Sequence, residues 1–219
     1  MASNSNIYKG LIIFIIPFLA TISHAANVNI TAEIESVNVQ HGESQVVIKR
    51  NQDLNNTINP AFAKTSRQCP PSCIQPASLS IGVETIAELE VLDYLKQRSS
   101  GDDSILIIDS RLTDWVAKGT IPGSINIPWT KLDSEQGADS IAIGAILQDK
   151  LNAKNLSGLW DFTTARTLIL FCNGIWCGEA SNSIMNLLRY GYPAHKIKWY
   201  RGGMQSWQSL GLTIVTPVK

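Results

Sequence analysis

Two short runs, Ile105-Leu-Ile-Ile-Asp109 and Leu168-Ile-Leu-Phe171, are apolar at every position until Asp109. A strand with one wet face alternates polar and apolar residues; one that is apolar throughout is covered on both faces, as in a parallel sheet between helices. The spacing between and around them is helical. Thr85 with Glu88 reads as a capping box, and Ile86, Leu89, Leu92 and Leu95 recur one turn apart, which predicts a helix over 86–98. Asp139 to Asn152 carries Ile143, Ile146, Leu147 and Leu151 on one side, and Ala180, Ile184, Leu187 and Leu188 form a stripe ended by Gly191 and Pro193. Ile125 to Ile127 is a shorter strand pinned between prolines, and Ile197 to Arg201 a last strand, stopped by Gly202-Gly203 before a short helix around Trp207. Strands alternating with helices predict an α/β fold: a central parallel sheet with helices on both faces, right-handed crossovers, and a site beyond the carboxyl ends of the strands.

The ends and the cysteines place the chain. Residues 1–25 read as a secretory signal, with Lys9, an apolar stretch from Gly10 to Ile22 broken by Pro17, and a Ser23-His24-Ala25 cleavage site. Export, most simply to a periplasm, follows, with no integral membrane span after cleavage. Residues 26–82 form an N-terminal extension: a few short β-strands and irregular segments with a weak core, then a Pro- and Ser-rich linker holding Cys69 and Cys73. Residues 83–219 form the α/β domain. Lysine plus arginine balance aspartate plus glutamate at 18 each. No basic patch interleaves with aromatics, so nucleic acid is not an expected partner. Four cysteines in an exported chain permit disulfides, and their spacing suggests two local pairs. A zinc site shared by the four is the weaker reading, and no metal or cofactor is expected.

Strand 168–171 runs directly into Cys172, then Asn173-Gly174-Ile175-Trp176-Cys177-Gly178, then a helix. A cysteine at the mouth of a helix faces unpaired N–H groups and the positive end of the dipole, which favour the nucleophilic thiolate. The loop amides, with Gly174 and Gly178 free to take unusual φ values, suit an anion-binding nest. Chemistry here requires a Cys172 sulfur that is ionised and open to solvent. Cys177, five residues on, lies within disulfide reach around a semicircular turn and is a candidate resolving thiol. Trp176, at the loop tip, either walls the pocket or packs in the core.

Ile107-Ile-Asp109-Ser-Arg111, Gly119-Thr-Ile-Pro-Gly123-Ser-Ile-Asn-Ile-Pro128, the strand-Cys172-loop-helix and Tyr200-Arg-Gly-Gly-Met-Gln-Ser-Trp207 together resemble, in order and spacing, the rhodanese family of sulfurtransferases over residues 83–215. The resemblance implies a Cys172 persulfide that moves a sulfane sulfur from a small-molecule or protein persulfide donor to a thiol acceptor, with ping-pong kinetics. It implies a structural role for Asp109 and Arg111. Thr120 stands where the family usually has histidine, and His41 and His195 read as surface residues. The loop carries no charge, so the resemblance does not extend to the cation of thiosulfate-preferring members; Arg201, at the neighbouring strand end, is the candidate substitute. Residue 178 is glycine rather than the arginine of a Cys-x₅-Arg loop, which excludes a cysteine phosphatase. Two rivals stand beside the sulfurtransferase: a periplasmic thiol-disulfide oxidoreductase using Cys172 and Cys177, and a non-catalytic rhodanese binding module. Cys69-Pro-Pro-Ser-Cys73 is read as a staple of the linker, with disulfide exchange or copper binding as alternatives.

Overall fold

In the computed structural model, which describes residues 27–216, a hairpin opens the chain: β1 (Ser36–His41) and β2 (Ser44–Lys49), followed by the short helix α1 (Pro60–Ala63). The domain then runs through β3 (Glu84–Ile86), α2 (Glu88–Ser99), β4 (Ile105–Asp109), α3 (Thr113–Val116) and β5 (Ile125–Asn126). After it come α4 (Ser140–Ala145), a small hairpin of β6 (Lys154–Leu156) and β7 (Leu159–Asp161), β8 (Thr167–Phe171), α5 (Glu179–Arg189), β9 (Ile197–Tyr200) and α6 (Gly203–Ser209). Among the described residues no helix is long and apolar enough to cross a membrane. The signal-like residues 1–25 lie outside them.

The central sheet has the order β3-β9-β8-β4-β5, and every pairing is parallel. The two all-apolar runs are adjacent, in register from Ile105 opposite Thr167 to Asp109 opposite Phe171. Alternate side chains feed two cores. Leu106, Ile108, Leu168 and Leu170 pack with Ile184 and Leu187 of α5; Ile105, Ile107, Ile169 and Phe171 pack with Leu92 and Leu95 of α2 and Trp207 of α6. Helices therefore cover both faces, and β8, flanked on each side, is the strand that delivers Cys172.

Local readings shift in four places. Thr85 belongs to β3 and its hydroxyl donates to the Ala77 carbonyl; the helix starts at Glu88, where Glu90 accepts from the Ala87 amide. Strand pairing with β9 outweighs the capping pattern, and Leu89 is half exposed rather than in the stripe. The helix predicted over 139–152 is α4 continued by a wider π-type turn through Ile146–Lys150. The extension is not weakly cored: Val39 and Ile48 are buried in the α2-side core, each contributing on the order of 1.5–3 kcal/mol. The Lys49 carbonyl accepts from the Thr213 amide, the Lys49 amide donates to Thr213 Oγ1, and Arg50 Nε donates to the Leu210 carbonyl, which ties the hairpin to residues 210–213. His41 is not a partnerless surface residue; its Nδ1 accepts from the Gly123 amide, and burial lowers its pKa. His195 is exposed.

Candidate active site

The loop from Cys172 to Gly178 is shaped by backbone contacts. The Cys177 amide donates to the Gly174 carbonyl at 2.9 Å, closing a four-residue turn. The Cys172 and Asn173 carbonyls accept from the amides of Met204 and Gln205, both at 2.9 Å, so the first turn of α6 grips the loop. That approach depends on Gly203, whose φ is +54° and where a Cβ would collide with the Cys172 carbonyl. Gly174 and Gly178, by contrast, have no left-handed φ. Gly174 is needed for closeness instead, since a Cβ there would sit 2.9 Å from Gln205 Oε1. The Gln205 side chain also accepts from Trp176 Nε1 at 3.0 Å. Sequence reading took Gly202-Gly203 only as a strand stop; the doublet was the available signal for this grip.

Beneath the loop, Arg111 binds Asp109 through two bonds, Nε to Oδ1 at 2.8 Å and Nη2 to Oδ2 at 2.6 Å, with both side chains fully buried. Thr120 donates to Asp109 Oδ2 at 2.6 Å, which gives the threonine in place of an imidazole a clear task. Arg111 also donates to the Gly119 carbonyl and reaches Asn173 Oδ1 at 3.4 Å. The pair thus props Asn173, the first residue after the cysteine. Losing either partner strands a buried charge, typically about 3–5 kcal/mol.

The sulfurs of Cys172 and Cys177 are bonded to each other, with the Cα atoms 6.3 Å apart. Cys172 is 3% and Cys177 6% exposed. The expectation of an ionised, open sulfur at 172 is therefore corrected for this state: the sulfur is oxidised and covered. Both cysteines belong to the α5-side core, with Trp176 packed against it, and a segment that reads as a linker lies beside their loop. Gln75 donates its amide to the Ile175 carbonyl at 2.8 Å and accepts from Ser181 Oγ at 2.9 Å, so residues 67–76 lie as a strap along the loop. The Arg67 guanidinium stacks 3.7 Å above the Trp176 ring, placing the tryptophan between strap and loop. Arg201 donates to the carbonyls of Pro76 and Gln75 at 2.8 and 2.7 Å, so its charge anchors the strap rather than standing free for a substrate. Cys69 and Cys73 are bonded within the strap, as the stapling reading expects.

Glu179, in the first turn of α5, places Oε2 3.6 Å from Cys177 Sγ. Burial, with some help from the Asp109 charge and opposed by Arg111, raises its carboxyl to about 7. Ligand atoms of Cys172, Cys177 and Glu179 lie within 4.8 Å of one another, yet bonded sulfurs offer no thiolate, so this oxidised form has no metal-binding donor set there. Among the described residues, the amides of Gly174, Ile175, Trp176, Gly178, Glu179 and Ala180 donate no hydrogen bond within the chain. They lie at or before the start of α5, where the helix dipole favours an anion. Ile175 is the one exposed loop residue, and Asn173 is buried. Glu179, Gln75, Arg67 and Gln205 were all missed; only Glu179, beside the loop, was within reach of sequence reasoning.

Residues 91–210 match the family described as the rhodanese-like domain. No curated protein matches the chain. Among solved structures, a Bacillus halodurans protein aligns at 17% identity over 62% of this chain and 78% of its own, TM-score 0.43. A thiosulfate sulfurtransferase from Pseudomonas aeruginosa aligns at 21% identity over 63% of this chain but 21% of its own, TM-score 0.41. A human single-domain sulfurtransferase aligns at 21% identity over 57% and 96%, TM-score 0.34.

Proposed function

The chain belongs to the rhodanese-like domain family, and from that premise we propose that it is a sulfurtransferase that carries a sulfane sulfur on Cys172, with Cys177 as the thiol that closes on it. The observation that supports this reading most is the position of Cys172: it follows the central strand β8 directly, opens the loop that leads into α5, and is bonded to Cys177. In the reduced protein, the helix end and loop amides favour the Cys172 thiolate, which attacks the outer sulfur of a persulfide donor. The donor leaves as a thiolate, and the anionic persulfide rests against the loop amides until a thiol acceptor takes the sulfur. The disulfide is the oxidised resting form; a reductant opens it before loading. Arg67, stacked on Trp176, is the strap cation at the loop and the candidate partner for a donor's acidic group. We place this activity in an exported, periplasmic protein with a small-molecule or protein donor and acceptor.

The bonded pair also favours the second reading, a thiol-disulfide oxidoreductase that exchanges Cys172–Cys177 with partner thiols. One experiment separates the two. The purified protein, reduced and then offered glutathione persulfide, gains one sulfur on the Cys172 peptide and passes it to cyanide or thiol if it is a sulfurtransferase. Reduction of partner disulfides with no sulfur gain supports the oxidoreductase instead, and neither result leaves only a binding module.

A further inference from the structure

We propose that Glu179 is the acid–base residue of the Cys172–Cys177 pair: it takes the Cys177 proton when the disulfide closes and returns it when the disulfide opens. The closing half rests on the sulfurtransferase reading; the opening half does not. Geometry sets the assignment. Glu179 Oε2 lies 3.6 Å from Cys177 Sγ, within sulfur hydrogen-bond range, and is held there by the first turn of α5. The bonded sulfur has no proton to give, so a proton shared across this contact belongs to the carboxyl. The other charges facing the group are Asp109 and Arg111, which are locked in their own ion pair below the loop. The helix terminus itself would favour the carboxylate, and burial overrides it.

The step balances as follows. From a Cys172 persulfide and a Cys177 thiol, Glu179 carboxylate accepts the Cys177 proton and the resulting thiolate attacks Cys172 Sγ. The bond from Cys172 Sγ to the outer sulfur breaks, and the outer sulfur leaves with the electron pair as hydrosulfide, taking up the relayed proton. The sulfane sulfur is reduced by two electrons, and the two cysteines are oxidised to the disulfide. In the opening direction an external dithiol supplies two electrons: one thiolate attacks Cys172 Sγ, Cys177 leaves as thiolate, and the Glu179 carboxyl protonates it. A carboxyl near 7 matches both tasks, since it is available as acid and as base around neutrality, while a free thiol sits near 8.5.

The test follows single turnovers of the reduced full chain with glutathione persulfide, quenching with alkylating reagent and measuring hydrosulfide and the disulfide by mass across a pH series. The expected result is a closing rate that inflects near pH 7 in the parent. In Glu179→Gln the rate falls about a hundredfold or more, as the roughly 10²–10⁴-fold span of general acid–base catalysis implies, and loses the inflection; Glu179→Asp restores part of both. Near-ultraviolet circular dichroism of Glu179→Gln that superimposes on the parent's shows that the fold around the loop is kept. Closing of Glu179→Gln at the parent rate with the parent pH profile overturns the relay. If Cys177→Ser takes no sulfur, the sulfurtransferase reading fails instead, and the relay is decided by opening with dithiothreitol: a slowed, pH-flat opening in Glu179→Gln supports it, and an unchanged one overturns it.

Discussion

One disulfide of this chain lies in the strap and the other in the loop that Gln75 and Arg67 of the strap contact, and their surroundings differ. Cys69–Cys73 sits in a strap without regular structure, with Cys69 exposed to solvent, and spans only Pro70-Pro71-Ser72. Cys172–Cys177 bridges the end of a central strand and the start of a helix, nearly closed to solvent, with a carboxyl beside the Cys177 sulfur and a loop whose amides make few bonds within the chain. The first has the surroundings of a staple: nothing near it stores or moves a proton. The second has what exchange chemistry uses. The strap lies against the loop at Ile175 and Trp176.

If that contrast is right, the largest difference appears on removing each pair. Cys172→Ser abolishes sulfur loading, while Cys69→Ser/Cys73→Ser leaves it intact and costs about 2 kcal/mol or less of stability, the loop-closure value for so short a ring; mass spectrometry and chemical denaturation read the two. Next is Gly203→Ala, which puts a Cβ against the Cys172 carbonyl at a left-handed backbone position. It is expected to cost more than the ~1 kcal/mol of an ordinary glycine replacement and to loosen the loop, seen as loss of stability together with lost loading. A smaller effect comes from the strap anchor. Arg201→Ala removes two hydrogen bonds to strap carbonyls, each to a charged donor worth roughly 1.5–3 kcal/mol, and in the reduced protein speeds alkylation of Cys172 several-fold. An unchanged alkylation rate would mean that the strap does not gate the site.

The smallest effect is on the pH dependence of stability. The Glu179 carboxyl is raised in the fold from 4.5 to about 7, so the folded chain keeps a proton that the unfolded chain has already lost between those values. Its contribution is therefore intact below about 4.5, falls as pH rises through the window, and is flat above about 7. Glu179→Gln removes that slope, and calorimetry is expected to show a smaller drop in Tm between about pH 5 and pH 8 than in the parent.

What the sequence revealed, and what it hid, follows from the range of the interactions. The all-apolar runs at 105–108 and 168–171 could be nothing but doubly covered strands, and they lie side by side as the parallel sheet requires. Cys172, the short loop and the helix after it were legible for the same reason: they are consecutive. Asp109, Arg111 and Thr120 were found through a motif, and they bond to one another over short separations in the chain. The strap was not legible. Its hold on the loop comes from Gln75 to Ser181, Arg201 to Gln75 and Arg67 over Trp176, contacts between residues about 100 or more positions apart that no periodicity announces. The same blindness put Arg201 at the substrate and left the 36–49 hairpin without a core, since its buried face is completed by α2 and by residues beyond 210.

The most direct measurement is the amount of sulfane sulfur carried on the Cys172 peptide after exposure to glutathione persulfide, before and after reduction of the chain. The account predicts none on the oxidised protein, a transient one-sulfur gain on the reduced protein that gives way to the disulfide, and lasting loading of Cys177→Ser without prior reduction of that pair. Equal loading of oxidised and reduced chains, or none on the reduced chain and none on Cys177→Ser, would contradict it.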